Sequence, residues 1–110
     1  MKISMKILKN PFRHKESTEV ERLDYGVSQI TPSTLISHEK FDDAIRNRYP
    51  NLTIEEIKRI ECTALEIFFY CENIPASDEN FDKQVKKQYP FLSRKALVAL
   101  RGAAAYSQIK

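Results

Sequence analysis

The sequence predicts an all-α fold, a small helical bundle that contains two tandem helix-turn-helix repeats of about 40 residues each. Three observations support this prediction. A chain of 110 residues is long enough for one domain with one core. Its apolar residues recur at intervals of three and four rather than two, which is the helical period. Residues 37–53 also align without a gap on residues 77–93.

The chain divides into four predicted parts: a basic N-terminal arm at 1–16, a helix and loop at 17–36, repeat 1 at 37–76 and repeat 2 at 77–110. The net charge of +3 is spread unevenly among them. Residues 1–15 carry five basic residues and no acidic one, so the other 13 basic and 15 acidic residues give a balance of −2. The arm lacks a signal-peptide cleavage site, and no apolar run approaches the roughly 20 residues of a membrane span. We therefore expect a cytoplasmic protein without a membrane segment.

The segment after the arm is expected to form the first of five helices. Its apolar residues recur at helical spacing: Val20, Leu23, Val27 and Ile30. Gly26 argues against a helix here, because glycine costs about 1 kcal/mol relative to alanine inside one. The following Thr31-Pro-Ser-Thr34 has the composition of a loop.

The two repeats are related by a constant offset of 40 residues. The identical pairs are Ser37/Ser77, Glu39/Glu79, Phe41/Phe81, Asp42/Asp82, Tyr49/Tyr89, Pro50/Pro90, Leu52/Leu92 and Ala64/Ala104. These matches fall on caps, turns and one apolar stripe, which are the positions that a shared fold preserves. Residues 37–66 should therefore superpose on 77–106. The residues expected to be largely buried in the two copies are Phe41, Tyr49, Leu52, Phe81, Tyr89 and Leu92.

The first helix of each repeat has a predicted start, stripe and end. Ser37 and Ser77 are the expected N-caps, because a serine hydroxyl accepts a hydrogen bond from a free backbone N–H. Pro50 and Pro90 end the helix, since proline disfavours helical geometry at the residue before it. The apolar stripes between these signals are Phe41, Ile45 and Tyr49 in repeat 1, and Phe81, Val85 and Tyr89 in repeat 2.

The second helix of repeat 1 is predicted to start with a capping box formed by Thr53 and Glu56. In repeat 2, Ser93 keeps the cap but Ala96 stands where the acid would be. The predicted second helix of repeat 1 carries two apolar stripes, so we expect it to be buried on two sides.

The corresponding helix of repeat 2 is thin, because it contains Gly102 and the alanines Ala99, Ala103, Ala104 and Ala105. We expect the bulky Ile67-Phe68-Phe69 segment of repeat 1 to pack over this surface.

We predict no catalytic, cofactor or metal site. His14 and His38 have no partner at a catalytic spacing, and the sequence has no Gly-rich phosphate loop, His-Glu-x-x-His motif or nucleophile elbow. The helix dipole explains the aspartates in predicted first turns, which are Asp42, Asp43 and Asp82. Cys62 and Cys71 would lie about 13 Å apart on one helix, too far for a disulfide. No Cys/His cluster indicates zinc.

Two classes of partner remain. Nucleic acid is favoured by the basic residues around the second helix-turn-helix: Lys83, Lys86, Lys87, Arg94, Lys95 and Arg101. Against it, a comparable number of acidic residues lies nearby, and the helix that would read DNA has the apolar pattern of a buried helix.

A protein partner is favoured because stacked helix pairs commonly leave a surface for one. Phe91 also stands in a turn where repeat 1 has Asn51, so it is either an exposed anchor or part of the core.

The preferred interpretation is a non-enzymatic protein-binding module. Arg94 and Lys95 lie in a predicted first turn, where the helix dipole disfavours cations, so an external contact is the simpler explanation for them. The expected partner-binding residues are Phe91, Arg94, Lys95, Lys87 and Lys86. By analogy of size and class alone, such a protein would be an inhibitor, an immunity or antitoxin-like protein, or an adaptor. The alternative is a nucleic-acid-binding protein that uses the basic face of repeat 2.

Overall fold

A computed structural model of the protein describes residues 18–109. Within that range the chain forms six helices and no strand: α1 (Glu19–Ser28), α2 (Pro32–Ile36), α3 (His38–Arg48), α4 (Ile54–Cys71), α5 (Phe81–Gln88) and α6 (Arg94–Ile109). The all-α prediction is confirmed, with six helices in place of the expected five. The predicted basic arm at 1–16 lies outside the described residues. Across residues 18–109, no helix is long and apolar enough to cross a membrane.

The additional helix, α2, occupies the segment that was expected to be a loop. The Thr31 hydroxyl accepts a hydrogen bond from the Thr34 N–H at 3.2 Å, and the Thr34 hydroxyl accepts one from the Thr31 N–H at 2.8 Å. Pro32 takes the first helical position, where an N–H would have no helical partner. The threonines and the proline are therefore the capped start of a short helix.

α1 is the helix that joins the rest of the fold, because it packs against both α4 and α6. Thr18 and Glu21 form a capping box at its start. Gly26 is buried, and a Cβ added there would lie only 2.6 Å from Cγ2 of Ile60 in α4. The glycine that argued against a helix is therefore what lets α1 approach α4 closely.

α3 and α5 end in the same turn. Tyr49 has φ −129° and ψ 75°, and Tyr89 has φ −129° and ψ 77°. Each tyrosine N–H donates at 2.8 Å to the carbonyl four residues earlier, Ile45 in α3 and Val85 in α5. A proline follows each tyrosine. The predicted helix ends are confirmed in both segments.

The starts of these two helices differ. Ser37 caps α3 as predicted, and its hydroxyl accepts a hydrogen bond from the Lys40 N–H at 3.2 Å. The prediction that Ser77 caps α5 is wrong. α5 begins at Phe81, and the residue before it, Asn80, makes no side-chain capping bond.

A turn held by α6 takes the place of the missing helical turn before α5. Asp78 Oδ1 accepts a hydrogen bond from the Asn80 N–H at 2.8 Å. Arg101 of α6 donates to the carbonyl of Ala76 at 2.8 Å and to that of Asp78 at 2.7 Å. Because the carbonyls of Ala76 and Asp78 bind the guanidinium, the residues before Phe81 form a turn, and α5 begins at Phe81, whose ring lies in the core.

The starts of α4 and α6 are both capped, but the carboxylate comes from different places. In α4 the predicted box is present: the Thr53 N–H donates to Glu56 at 2.9 Å and the Glu56 N–H donates to Thr53 at 3.1 Å. In α6 the Ser93 hydroxyl accepts from the Ala96 N–H at 3.2 Å. The Ser93 N–H donates at 2.8 Å to Asp24 of α1. α1 thus provides the carboxylate that the local sequence lacks.

One apolar core runs between the helices. The fully buried large side chains are Val27, Ile45, Ile57, Ile67, Cys71, Phe81, Val85, Leu92 and Leu100. Of the six predicted core residues, Phe41, Phe81 and Leu92 are buried. The other three, Tyr49, Leu52 and Tyr89, are only half-buried. The two tyrosines lie at the turns, where Tyr49 packs edge-on against Tyr25 and Tyr89 against Tyr70.

The predicted contact between α4 and α6 is only partly correct. Ile67 and Phe68 are buried, as are the alanines Ala96, Ala103 and Ala104 of α6. Phe69, however, is 54% exposed, and nothing lies within 4 Å of a Cβ placed on Gly102. Ile54 at the start of α4 is also exposed. α4 is therefore buried mainly on one side, and Gly102 faces away from the core.

Candidate binding groove

A broad groove lies where α1, the end of α3 and the start of α6 meet. Its volume is about 1360 Å³, which exceeds the roughly 300–1,000 Å³ that is usual for small-molecule pockets. Its charged lining consists of Glu21, Asp24, Arg48, Arg94 and Lys95. The size and openness of the groove suit a segment of a macromolecule rather than a small enclosed ligand.

Arg48, the last residue of α3, is held in place by two aromatic rings. Its guanidinium carbon lies 5.6 Å from the centroid of the Tyr25 ring and 5.7 Å from that of Tyr49. The rings themselves pack edge-on, with centroids 5.7 Å apart at 90°. A side-chain hydrogen bond with Tyr49 raises the pKa of Arg48 above its ordinary value, so this arginine stays charged. α1 and α3 together therefore present a positioned, exposed cation to the groove.

The start of α6 adds two more cations. Arg94 and Lys95 are exposed in the first turn of α6, and this turn carries no acidic residue. The bond between Ser93 and Asp24 fixes this end of α6 against α1. The positive end of the helix dipole points in the same direction and adds to the positive potential.

The acidic residues of the groove are already engaged within the protein. Asp24 accepts the Ser93 N–H at 2.8 Å, and Glu21 accepts the Thr18 N–H at 3.0 Å. The ion pairs recorded for residues 18–109 are Arg22–Glu56, His38–Glu61, Arg59–Glu19 and Arg101–Asp82. None of these pairs includes a basic residue of the groove. In the described part of the chain, Arg48, Arg94 and Lys95 therefore form no ion pair, and the negative charge of Glu21 only adds to the rise in the pKa of Arg48.

The structure separates the five predicted partner-binding residues into two groups. Arg94 and Lys95 line the groove. Phe91 does not line it: its ring is half-buried and packs edge-on against Tyr89, with centroids 6.5 Å apart. Of the two interpretations of Phe91, the structure therefore favours a side chain that packs against the core over a fully exposed anchor for a partner.

The two predicted lysines lie on α5, outside the residues that line the groove. Lys86 Nζ donates to the carbonyl of Leu92 at 2.9 Å and so braces the turn after α5. Lys87 is exposed in the last turn of α5, where it complements the helix dipole. Arg48 was missing from the predicted set, because only the placement of α1 across both helix pairs brings it near α6.

Other chemically active side chains do not converge. Burial raises the pKa of the Cys71 thiol to about 12, whereas Cys62 is exposed. His38 is exposed, as expected, but its ring pairs with the Glu61 carboxylate. Within residues 18–109, no group of three or more His, Cys, Asp or Glu side chains is arranged to hold a metal ion.

Comparison of the chain with protein-family models, curated protein sequences and solved structures finds no match. The groove and its charges are therefore the basis for a functional proposal.

Proposed function

We propose that the protein is a non-enzymatic binding module that holds an acidic segment of another protein in the groove between α1 and α6. The observation that carries this proposal is the convergence of Arg48, Arg94 and Lys95, which form no ion pair within residues 18–109. A segment rich in Asp or Glu would supply the missing carboxylates, and arginine can bind each of them through two parallel hydrogen bonds.

The groove is partly organised before a ligand arrives. The two tyrosine rings restrict the guanidinium of Arg48, so less conformational entropy is lost when it binds. Val98, which is 63% exposed at the edge of the groove, offers an apolar contact beside the cations. Charge sets the orientation of the ligand, and the apolar surface contributes affinity.

We also propose that α3–α4 and α5–α6 are two copies of one helix-turn-helix module. The equal torsions and hydrogen bonds at Tyr49 and Tyr89 support this. On this proposal the groove joins unlike parts of the copies: the end of the first helix of copy 1 and the start of the second helix of copy 2. A small cytoplasmic inhibitor, an immunity or antitoxin-like protein, or an adaptor would fit such a surface.

Nucleic acid is the second candidate ligand, because the same three cations could neutralise phosphates as well as carboxylates. Binding to duplex DNA would have a characteristic dependence on salt concentration. Three neutralised phosphates on duplex DNA give a slope of about −3 for log affinity against log salt, independent of base sequence.

The test uses two double variants with the same change in net charge. Arg48→Glu with Arg94→Glu alters the groove, and Lys58→Glu with Lys83→Glu alters two exposed lysines outside it. A labelled Glu-rich peptide and labelled duplex and single-stranded DNA are titrated by fluorescence anisotropy. We expect the groove variant to bind the peptide about tenfold or more weakly, because the carboxylate contacts are lost.

The control variant should bind the peptide like the unmodified protein. An equal loss in both variants would show that only net charge matters, and the groove would then not be the site. Binding of DNA but not of the peptide, with a slope of about −3 for log affinity against log salt, would select the nucleic-acid alternative.

A further inference from the structure

The outward face of α6 is apolar along nearly its whole length. At 100° per residue, Lys95, Val98, Gly102, Tyr106 and Ile109 all lie within about 40° of the direction of Gly102. All five residues are exposed, and the exposed fractions are 63% for Val98, 56% for Tyr106 and 80% for Ile109. These five residues are called the α6 stripe below.

The corresponding face of α4 is charged. Forty positions earlier, α4 carries Glu55, Lys58, Cys62, Glu66 and Phe69, and all five are also exposed. A helix at this place in the fold therefore tolerates charge on its outward face. Three large apolar side chains in one exposed line are more typical of a contact surface than of a face in water.

The charges of α6 also fail to complement its dipole. Arg94 and Lys95 lie in the first turn without an acidic residue, and the last turn carries no basic residue. The first turn is therefore unfavourable for an isolated helix, and the last turn lacks a cation that would stabilise its free carbonyls. An antiparallel neighbour with the same sequence relieves both ends, because its cations lie beside the free carbonyls of this helix.

We propose that a second copy of this chain covers the α6 stripe, with the two α6 helices antiparallel about a two-fold axis at Gly102. The symmetry fixes the contacts. Val98 then faces the partner's Tyr106, and Lys95 faces the partner's Ile109 and the carbonyls of its last turn. Gly102 meets its own mate, and the absence of a Cβ lets the helices approach closely there.

This interface is small and its formation is reversible. A single helix pair buries less than about 1,200 Å² in total, which is the range of weak complexes. The α6 stripe shares Lys95 and Val98 with the groove, whereas Arg48 is outside the stripe and Arg94 points about 80° away from Gly102. The Arg48→Glu and Arg94→Glu pair therefore leaves the dimer intact.

The first test measures association by sedimentation velocity of the full chain, from about ten micromolar to about one millimolar. The weight-average sedimentation coefficient of the unmodified protein should rise with concentration. Gly102→Lys should abolish this rise, because two lysines meet at the axis. Nothing lies within 4 Å of the Gly102 Cβ position, so the variant folds and its melting temperature at low concentration is kept or raised. The matched control is Cys62→Lys, which changes the equivalent position of α4 and should still dimerise.

The second test measures the geometry by cross-linking in a Cys62→Ser background. Gly102→Cys places two thiols at the axis, so mild oxidation should give a covalent dimer. Val98→Cys should cross-link far less, because its two thiols are about 12 Å apart along antiparallel helices. A protein that stays monomeric at the highest concentration overturns the proposal, and so does a dimer that persists in Gly102→Lys. Equal cross-linking at both positions excludes the antiparallel arrangement.

Discussion

The helix pairs α3–α4 and α5–α6 share a turn and a core stripe but are held together in different ways. The first pair caps itself with Ser37 at α3 and with Thr53 and Glu56 at α4. The second pair relies on contacts between helices: Arg101 of α6 fixes the turn before α5, and Asp24 of α1 completes the cap of α6. Similar sequences can thus adopt similar helices while the second pair depends more on tertiary contacts.

The largest expected difference between the pairs is in their core phenylalanines. Phe41→Ala and Phe81→Ala should each reduce the free energy of unfolding by about 3–5 kcal/mol. The loss should be greater for Phe81, since it is fully buried and its ring also supports Arg101, whose guanidinium lies 5.5 Å away. Urea unfolding measures both values. A greater loss at Phe41 would contradict the idea that the second pair is the dependent one.

Gly26 tests how α1 contacts the first pair. Gly26→Ala should destabilise the protein by about 1–3 kcal/mol, because its Cβ would meet the stiff, β-branched Ile60. Gly102→Ala is the matched control, since nothing surrounds that position and the helix gains about 0.5–1 kcal/mol. Thermal melts at low protein concentration distinguish the two. A stabilising Gly26→Ala would show that α1 and α4 can move apart without cost.

Asp24 tests how α1 contacts the second pair. Asp24→Ala should cost about 1–2 kcal/mol, because the partly buried Ser93 N–H loses its acceptor. Glu56→Ala removes the equivalent carboxylate from α4 but should cost less, since the Thr53 N–H is exposed to water. Denaturant unfolding of both variants measures the difference. Equal losses would mean that the tertiary cap is no more important than the local one.

The smallest expected effect is a pH dependence at the α4 cap. Hydrogen bonding from the Thr53 backbone lowers the pKa of Glu56 below its ordinary value of 4.5. The ionised Glu56 carboxylate therefore stabilises the folded protein above pH 4.5, and this stabilisation is lost as the pH falls through the lowered pKa. Glu56→Gln keeps the acceptor without titrating. The melting-temperature advantage of the unmodified protein over this variant should shrink from about pH 7 to about pH 3, and an unchanged advantage would contradict the assignment.

Local signals in the sequence predicted much of the fold. Capping residues, Tyr-Pro turns and apolar periodicity located α3, α4, α5 and α6, because each acts within a few residues along the chain. The predicted start of α5 is wrong because Ser77 has the chemistry of a cap but does not act as one. Arg101, more than twenty positions away, instead binds the carbonyls on either side of Ser77. α2 was missed because capping threonines and a proline are common to loops and short helices.

The candidate groove could be predicted only in part. Arg94 and Lys95 were found because cations in a first turn contradict the dipole. Arg48 gave no such signal, as an arginine in a last turn is ordinary. Its place in the groove depends on where α1 packs, and Asp24 and Gly26, which fix that packing, resemble any aspartate and glycine in a sequence.

The two cysteines of α4 make local opening of the core measurable. Cys62 is exposed and can be alkylated in the folded protein, whereas Cys71 is fully buried, with its thiol pKa raised to about 12. A thiol reagent reacts with the thiolate, so Cys71 can react only when the end of α4 opens. The ratio of the two alkylation rates therefore gives an equilibrium constant for that opening, with Cys62 as the internal standard for intrinsic reactivity.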